Sequence, residues 1–295
     1  MEPAIETREL TVRYPTGGGI ESISLRVERG EVMGFLGKNG AGKTTTIRVL
    51  LDLLRPDSGS ARVLGSDVRA GAGALRARIG YLPGDLALPP GCTGAQALDL
   101  FARLQRKPPV DRDRVLDRLG FPRHALQRSA RGYSTGMRQM IGITLALQHH
   151  PELLILDEPT SGLDPVVRDA FLALVREARD GGQTVFLSSH VLDEVERGAD
   201  RVAIVHDGRL RHVGSVAELR AQAPRQATLR WRDGTTTTLD PATDGAATSP
   251  LDGLLARVHA AAAARPGELL DIAITAPGLD ELFRAVIARP GEAPT

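Results

Sequence analysis

The stretch VMGFLGKNGAGKTTTIRVLL, residues 32–51, constrains this chain more than any other. It places Gly37, Gly42, Lys43 and Thr44 in the pattern G-x-x-x-x-G-K-[ST], directly after an apolar run and directly before a helical one. That context is what the chemistry needs. Glycines let backbone N–H groups curl around phosphate oxygens, and a helix start adds positive potential. Lys43 is spaced to reach the β- and γ-phosphates, and the Thr44 hydroxyl to hold Mg²⁺. A strand that turns tightly into a helix also selects an α/β layered architecture.

Bulk properties remove several alternatives. The 295 residues suit one large α/β domain with an appendage, or two domains. A formal net charge of +1, from 37 basic and 36 acidic residues, gives no reason to expect nucleic-acid binding or a polybasic grip on lipid. Cys92 is the single cysteine, so no internal disulfide is expected and a reducing, cytosolic setting fits. The opening MEPAIETREL carries acids and lacks the apolar core of a signal peptide. No run of about 18 apolar residues is present, so crossing a bilayer would fall to another chain.

Apolar runs at 5–12, 32–36, 60–64, 153–156, 184–188 and 201–205 read as strands. Helical patterns lie between them at about 43–53, 94–105, 111–119, 136–149, 165–180 and 190–197. The alternation predicts a doubly wound sheet, with antiparallel strands near the N-terminus. After SVAELRAQ the texture changes. ATLRWRDG and TTTTLD resemble a hairpin, and helical stretches are expected at 251–264 and 278–288 around a strand at 268–275. A cassette at 1–221 and a small α/β accessory domain at 222–295 follow.

Two further motifs sit on this frame. LLILDE, residues 153–158, is an apolar strand tipped by Asp157, placed to support a metal ion, and Glu158, placed to polarise a water. YSTGMRQ, residues 133–139, is a second helix start suited to an anion, although an ordinary N-cap would look the same in isolation.

Together these residues resemble the ATP-binding subunit of an ABC transporter over about residues 1–220. The resemblance implies a P-loop NTPase core: a mixed sheet with helices, an antiparallel N-terminal β subdomain and a helical subdomain at about 83–150. It implies ATP as ligand, contacted by Tyr14, stacked on adenine, and by Gly37, Asn39, Gly40, Gly42, Lys43, Thr44 and Thr45, with Mg²⁺ held by Thr44 and Asp157. Glu158 is implied as the base and His190, which closes TVFLSSH, as the residue that orients the water. In that family the signature sequence of one subunit faces the phosphates held by another. Ser134 and Gly136 occupy the signature here, and Asp164 of SGLD stands at the subunit junction. The expected partners are therefore a like or unlike ATP-binding subunit and a separate transmembrane permease, with the chain peripheral on the cytoplasmic face of the cell membrane and coupling through the groove beside residues 81–105.

The pattern is also departed from. Tyr133, Thr135 and Met137 replace the first, third and fifth residues of the usual signature Leu-Ser-Gly-Gly-Gln. In IGYLPGDL, Gly84 stands where the family places a glutamine that touches Mg²⁺, and Asp85 follows, either as a replacement acting through water or as a solvated loop acid. The signature variant and the ending APGLDELF resemble exporter subunits for drugs, antibiotics or lipids. The alternative is an ATPase of the same type acting on ribosomes or DNA; the paired cassettes of the first and the long coiled-coil insertion of the second are both missing from this sequence.

Overall fold

Burial on one face or on both decides which layer each strand joins. β1 (Ile5–Arg13) and β2 (Gly19–Val27) pair antiparallel and mix buried with exposed positions, β2 alternating over 22–27, while β3 (Val32–Leu36) is buried throughout and leads through the glycine-rich loop into α1 (Lys43–Leu50). β4 (Ser58–Val63) and β5 (Ser66–Asp67) complete a four-stranded sheet in the order β2-β1-β4-β5. This is a sheet with one wet face, as alternation requires. The computed structural model describes residues 2–69, 72–221, 225–240 and 250–275. Contacts divide the chain between Gly214 and Ser215 into two compact units.

The first unit continues with α2 (Ala72–Arg76), β6 (Ile79–Leu82), α3 (Gly94–Gln105), α4 (Arg112–Arg118), α5 (Thr135–Leu147), β7 (Leu153–Asp157), α6 (Pro165–Asp180), β8 (Thr184–Ser189), α7 (Leu192–Gly198), β9 (Arg201–His206) and β10 (Arg209–Ser215). β3, β7 and β8 are buried on both faces, and with β6 and β9 they run parallel in a six-stranded sheet ordered β10-β9-β3-β8-β7-β6. The P-loop, Asp157 and His190 segments therefore all leave this sheet at the carboxyl ends of neighbouring strands, where open α/β sheets bind ligands. Asp207 and Gly208, both at positive φ, turn β9 into β10.

Two apolar layers hold the sheet in place. On one side Phe35 and Phe186 meet with ring centroids 5.2 Å apart, and Ile5, Ile23 and Ile47 join them from the antiparallel sheet and α1. On the other, Phe171, Leu172 and Val175 of α6 pack with Leu154, Leu156 and Leu187. Each such fully buried side chain contributes about 1.5–3 kcal/mol. The helical region has its own cluster around Leu98, Leu116, Phe121, Tyr133 and Ile141. α3 starts on a reciprocal cap, with Gln96 N donating to Thr93 Oγ1 (3.2 Å) and Thr93 N to Gln96 Oε1 (2.9 Å).

The second unit comprises α8 (Val216–Ala221), β11 (Gln226–Trp231), β12 (Thr236–Leu239), α9 (Pro250–Ala264) and β13 (Leu269–Thr275). Its antiparallel sheet, ordered β12-β11-β13, buries Ala227, Leu229 and Trp231 against Leu254 and Val258 of α9. Trp231 Nε1 donates to Thr237 Oγ1 at 2.9 Å. The helix expected at 278–288 and the APGLDELF ending lie outside the described residues.

Candidate active site

The loop after β3 closes because of its glycines. Gly42, the residue before α1, has φ 107°, and a Cβ there would lie 2.6 Å from Ile20 Cγ2. Both the sign of φ and the space call for glycine. α1 then begins at Lys43, whose buried ammonium folds back along the loop and donates to Gly37 O at 2.6 Å and to Lys38 O at 3.2 Å. Its Nζ also lies 3.0 Å from Glu158 Oε1, a charge contact without aligned hydrogen-bond geometry.

The neighbouring strand tips supply the acids. Asp157 is almost wholly buried: Thr44 Oγ1 donates to its Oδ2 at 2.9 Å and Ser188 Oγ to its Oδ1 at 2.5 Å. Parallel pairing sets Ser188 beside Asp157, so the hydroxyl follows from register. Glu158 sits one residue beyond, in the left-handed region at φ 49°. Its N–H donates to Ser188 O (3.2 Å) and Ser188 Oγ (3.1 Å), and its Oε2 is 2.6 Å from His190 Nδ1. The buried Asp157 and the partly buried Glu158 carboxylates are tolerable here because each oxygen faces a donor or a cation.

These groups border one open cleft of about 740 Å³. Tyr14, Asn39, Gly40, Gly42, Lys43, Thr44, Thr45, Asp157, Glu158 and His190 line it, with Gly84 and Asp85 at the same wall. Tyr14 OH lies 3.3 Å from Thr45 Oγ1. A Cβ on Gly84 would face the Asp157 carboxylate at 3.5 Å, so the glycine leaves that side of the acid open. Burial first, then the charge of Asp157, holds the Tyr81 phenol above its ordinary range.

Gly37, Ser134, Gly136 and Asp164 are not among the cleft's lining residues. Ser134 caps α5 by accepting from Met137 N at 3.2 Å, and Asp164 caps α6 by accepting from Val167 N at 3.0 Å. Gly136 stands against Gly162, to whose carbonyl a Cβ would come within 3.1 Å. Ser188 and Tyr81 are site residues that the motifs do not announce. Ser188 is visible in the sequence only as the residue two before His190 on a buried strand.

For a divalent ion, Thr44 Oγ1 and Asp157 Oδ2 form a hard oxygen pair of the kind Mg²⁺ accepts. Among the described residues no group of three or more His, Cys, Asp or Glu could hold a metal alone. Mg²⁺ bound through one carboxylate plus phosphate oxygens and water fits such a donor set.

Known proteins resemble this chain in sequence and in fold. A family model described as "ABC transporter" matches residues 20–161. The chain is 38% identical over 217 residues to the bacitracin transport ATP-binding protein of Bacillus licheniformis, covering 71% of this chain and 69% of that one. It is 42% identical over 214 residues to the daunorubicin resistance ATP-binding protein DrrA3 of Streptomyces coeruleorubidus, covering 71% and 67% respectively. Among solved structures, the ATP-binding subunit of an ABC transporter superposes with a TM-score of 0.69 at 30% identity, over 74% of this chain and 92% of that one. A dimeric ATP-binding cassette in a post-hydrolysis state, at 19% identity and a TM-score of 0.63, shares the fold. No helix among the described residues is long and apolar enough to cross a membrane. The chain belongs to the family of ABC transporter ATP-binding subunits and is an ATP hydrolase of that type.

Proposed function

We propose that this chain powers export of a drug-like or antibiotic cargo, closing as a dimer around two MgATP on the cytoplasmic face of the cell membrane and driving a separate permease. The observation that carries the site assignment is the convergence of Lys43, Thr44, Asp157, Glu158 and His190, from three chain segments, on one cleft beside a glycine-rich helix start. Relatives named for bacitracin transport and daunorubicin resistance support the cargo class.

In this reading Gly37, Asn39, Gly40, Gly42 and Thr45 wrap the phosphates with backbone N–H groups, and Lys43 exchanges its contacts with loop carbonyls for phosphate oxygens. Tyr14 takes the base. Thr44 and Asp157 would hold Mg²⁺, which when bound shields phosphate charge. Glu158 accepts a proton from the attacking water, and His190, bonded to the same carboxylate, orients it. Ser134 and Gly136, outside this chain's own cleft, offer a helix start to the nucleotide of a second subunit, and Asp164 lies at the junction. In this reading residues 1–221 form the cassette and 222–295 an accessory domain, a boundary that follows α8 where the contact division precedes it, after Gly214. ATP binding favours the closed pair and hydrolysis releases it, so differential binding performs the mechanical step.

Lys43→Ala tests the assignment. Removing one partner of a desolvated charge pair costs several kcal/mol, so ATP affinity by equilibrium fluorescence should fall about a hundredfold or more. Retained tight binding would remove Lys43 from the site.

A further inference from the structure

One buried polar side chain in this region is unused by the chemistry above. Gln139 lies early in α5, 7% exposed, and its amide Nε2 donates to Pro159 O at 2.7 Å and approaches Glu158 O at 3.4 Å. Two residues further on, Ser161 N also donates to Glu158 O, at 3.2 Å. Glu158 needs such support. A non-glycine residue in the left-handed region persists where its neighbours over-determine it, and its N–H is already held by Ser188.

The start of the same helix touches the same segment a second time. A Cβ on Gly162 would fall 2.7 Å from Thr135 Cγ2, and one on Gly136 would fall 3.1 Å from Gly162 O. Arg138 stiffens the corner, donating to Tyr133 O at 2.8 Å and to Thr135 Oγ1 at 3.3 Å. The α5 start and the 158–162 segment thus meet at both ends, at Thr135–Gly162 and at Gln139–Pro159. A displacement of one has to be accommodated by the other, because packed interiors leave little slack.

We propose that Gln139 is a positioning residue that carries the state of the Ser134–Gly136 corner to the backbone of Glu158 in the same chain. The inference rests on the reading that this corner takes phosphate from a second subunit's nucleotide and that Glu158 is the base. Under it, nucleotide held by one subunit orders the catalytic carboxylate of the other, with Gln139 as the connection.

The test uses the full chain and four proteins: parent, Gln139→Met, Ser134→Ala and the double variant. Met keeps the length and loses the amide. Losing one hydrogen bond that aligns the base should lower kcat for ATP about tenfold, with KM moved less than about twofold. The double variant should lose much less than the product of the single losses, as coupled sites do. Gln139→Glu provides a second reading should Met fold poorly: a protonated carboxyl donates where a carboxylate cannot, so its kcat relative to the parent should rise toward acid pH. Unchanged kcat in Gln139→Met, multiplicative losses in the double variant, or a flat pH ratio in Gln139→Glu each overturns the proposal. Glu158→Gln with normal turnover would instead sink the assignment of the base, and leaves the measured coupling between Ser134 and Gln139 standing.

Discussion

Replacing Ser188 with alanine removes the hydroxyl that joins the two acids of the site. Ser188 is fully buried; its Oγ donates to Asp157 Oδ1 at 2.5 Å and accepts from Glu158 N at 3.1 Å. Glu158 N keeps Ser188 O at 3.2 Å, so its loss is small. Asp157 loses more. A hydrogen bond to a charged group is worth about 1.5–3 kcal/mol, and the abandoned oxygen in a dry site adds the cost of an unsatisfied acceptor. A total of about 2–3 kcal/mol corresponds to a Tm lower by about 4–12 °C for a domain of this size. Because Asp157 also meets Thr44, and Glu158 is the base in the proposed mechanism, kcat should fall about 10–100-fold. Thermal unfolding by circular dichroism and steady-state ATPase rates measure both. A variant within about 1 °C and twofold of the parent would refute the claim that Ser188 supports the two carboxylates.

Gly162→Ala places a Cβ at φ 75°, 2.7 Å from Thr135 Cγ2, so it should cost about 1–2 kcal/mol for the conformation alone, and Thr135→Gly in the same chain should recover the steric part; equal melting of the single variant and the parent would contradict this. His149 is buried, and burial, only partly offset by the backbone of Ile79, pushes its pKa down to about 4. The unfolded chain takes up that proton near pH 6.5 and the folded chain only near 4, so acidification across this window costs the parent up to about 3 kcal/mol, and the cost levels off below it. His149→Leu should flatten the acid limb of denaturant-derived stability between pH 6.5 and 4 by that amount; identical limbs would place the acid lability elsewhere.

Local signals were legible where chemistry and chain position coincide. The loop at 37–44 needs only its own glycines, lysine and threonine, and the acid tip of LLILDE needs only the run of apolar residues before it. α3 and α6 are equally plain, since Thr93 and Asp164 cap them and apolar spacing fixes their faces. Partnership across the sheet was not legible. Ser188 and Gln139 are ordinary polar residues until β8 is registered against β7 and α5 is laid on Pro159. β2 and β10 escaped for a related reason: β2 mixes polar side chains into its wet face, and RLRHVGS in β10 carries arginine and histidine where an edge strand admits them.

Two helix starts fit for anions, one inside the cleft and one outside it, make sense together only if a second subunit completes each site. Light scattering on full-length Glu158→Gln with MgATP tests this most directly, since the variant should bind nucleotide and fail to discharge it. A nucleotide-dependent doubling of the 31.5 kDa chain mass is the expected result. A nucleotide-loaded variant that stays monomeric at high concentration, even beside its permease, would contradict it.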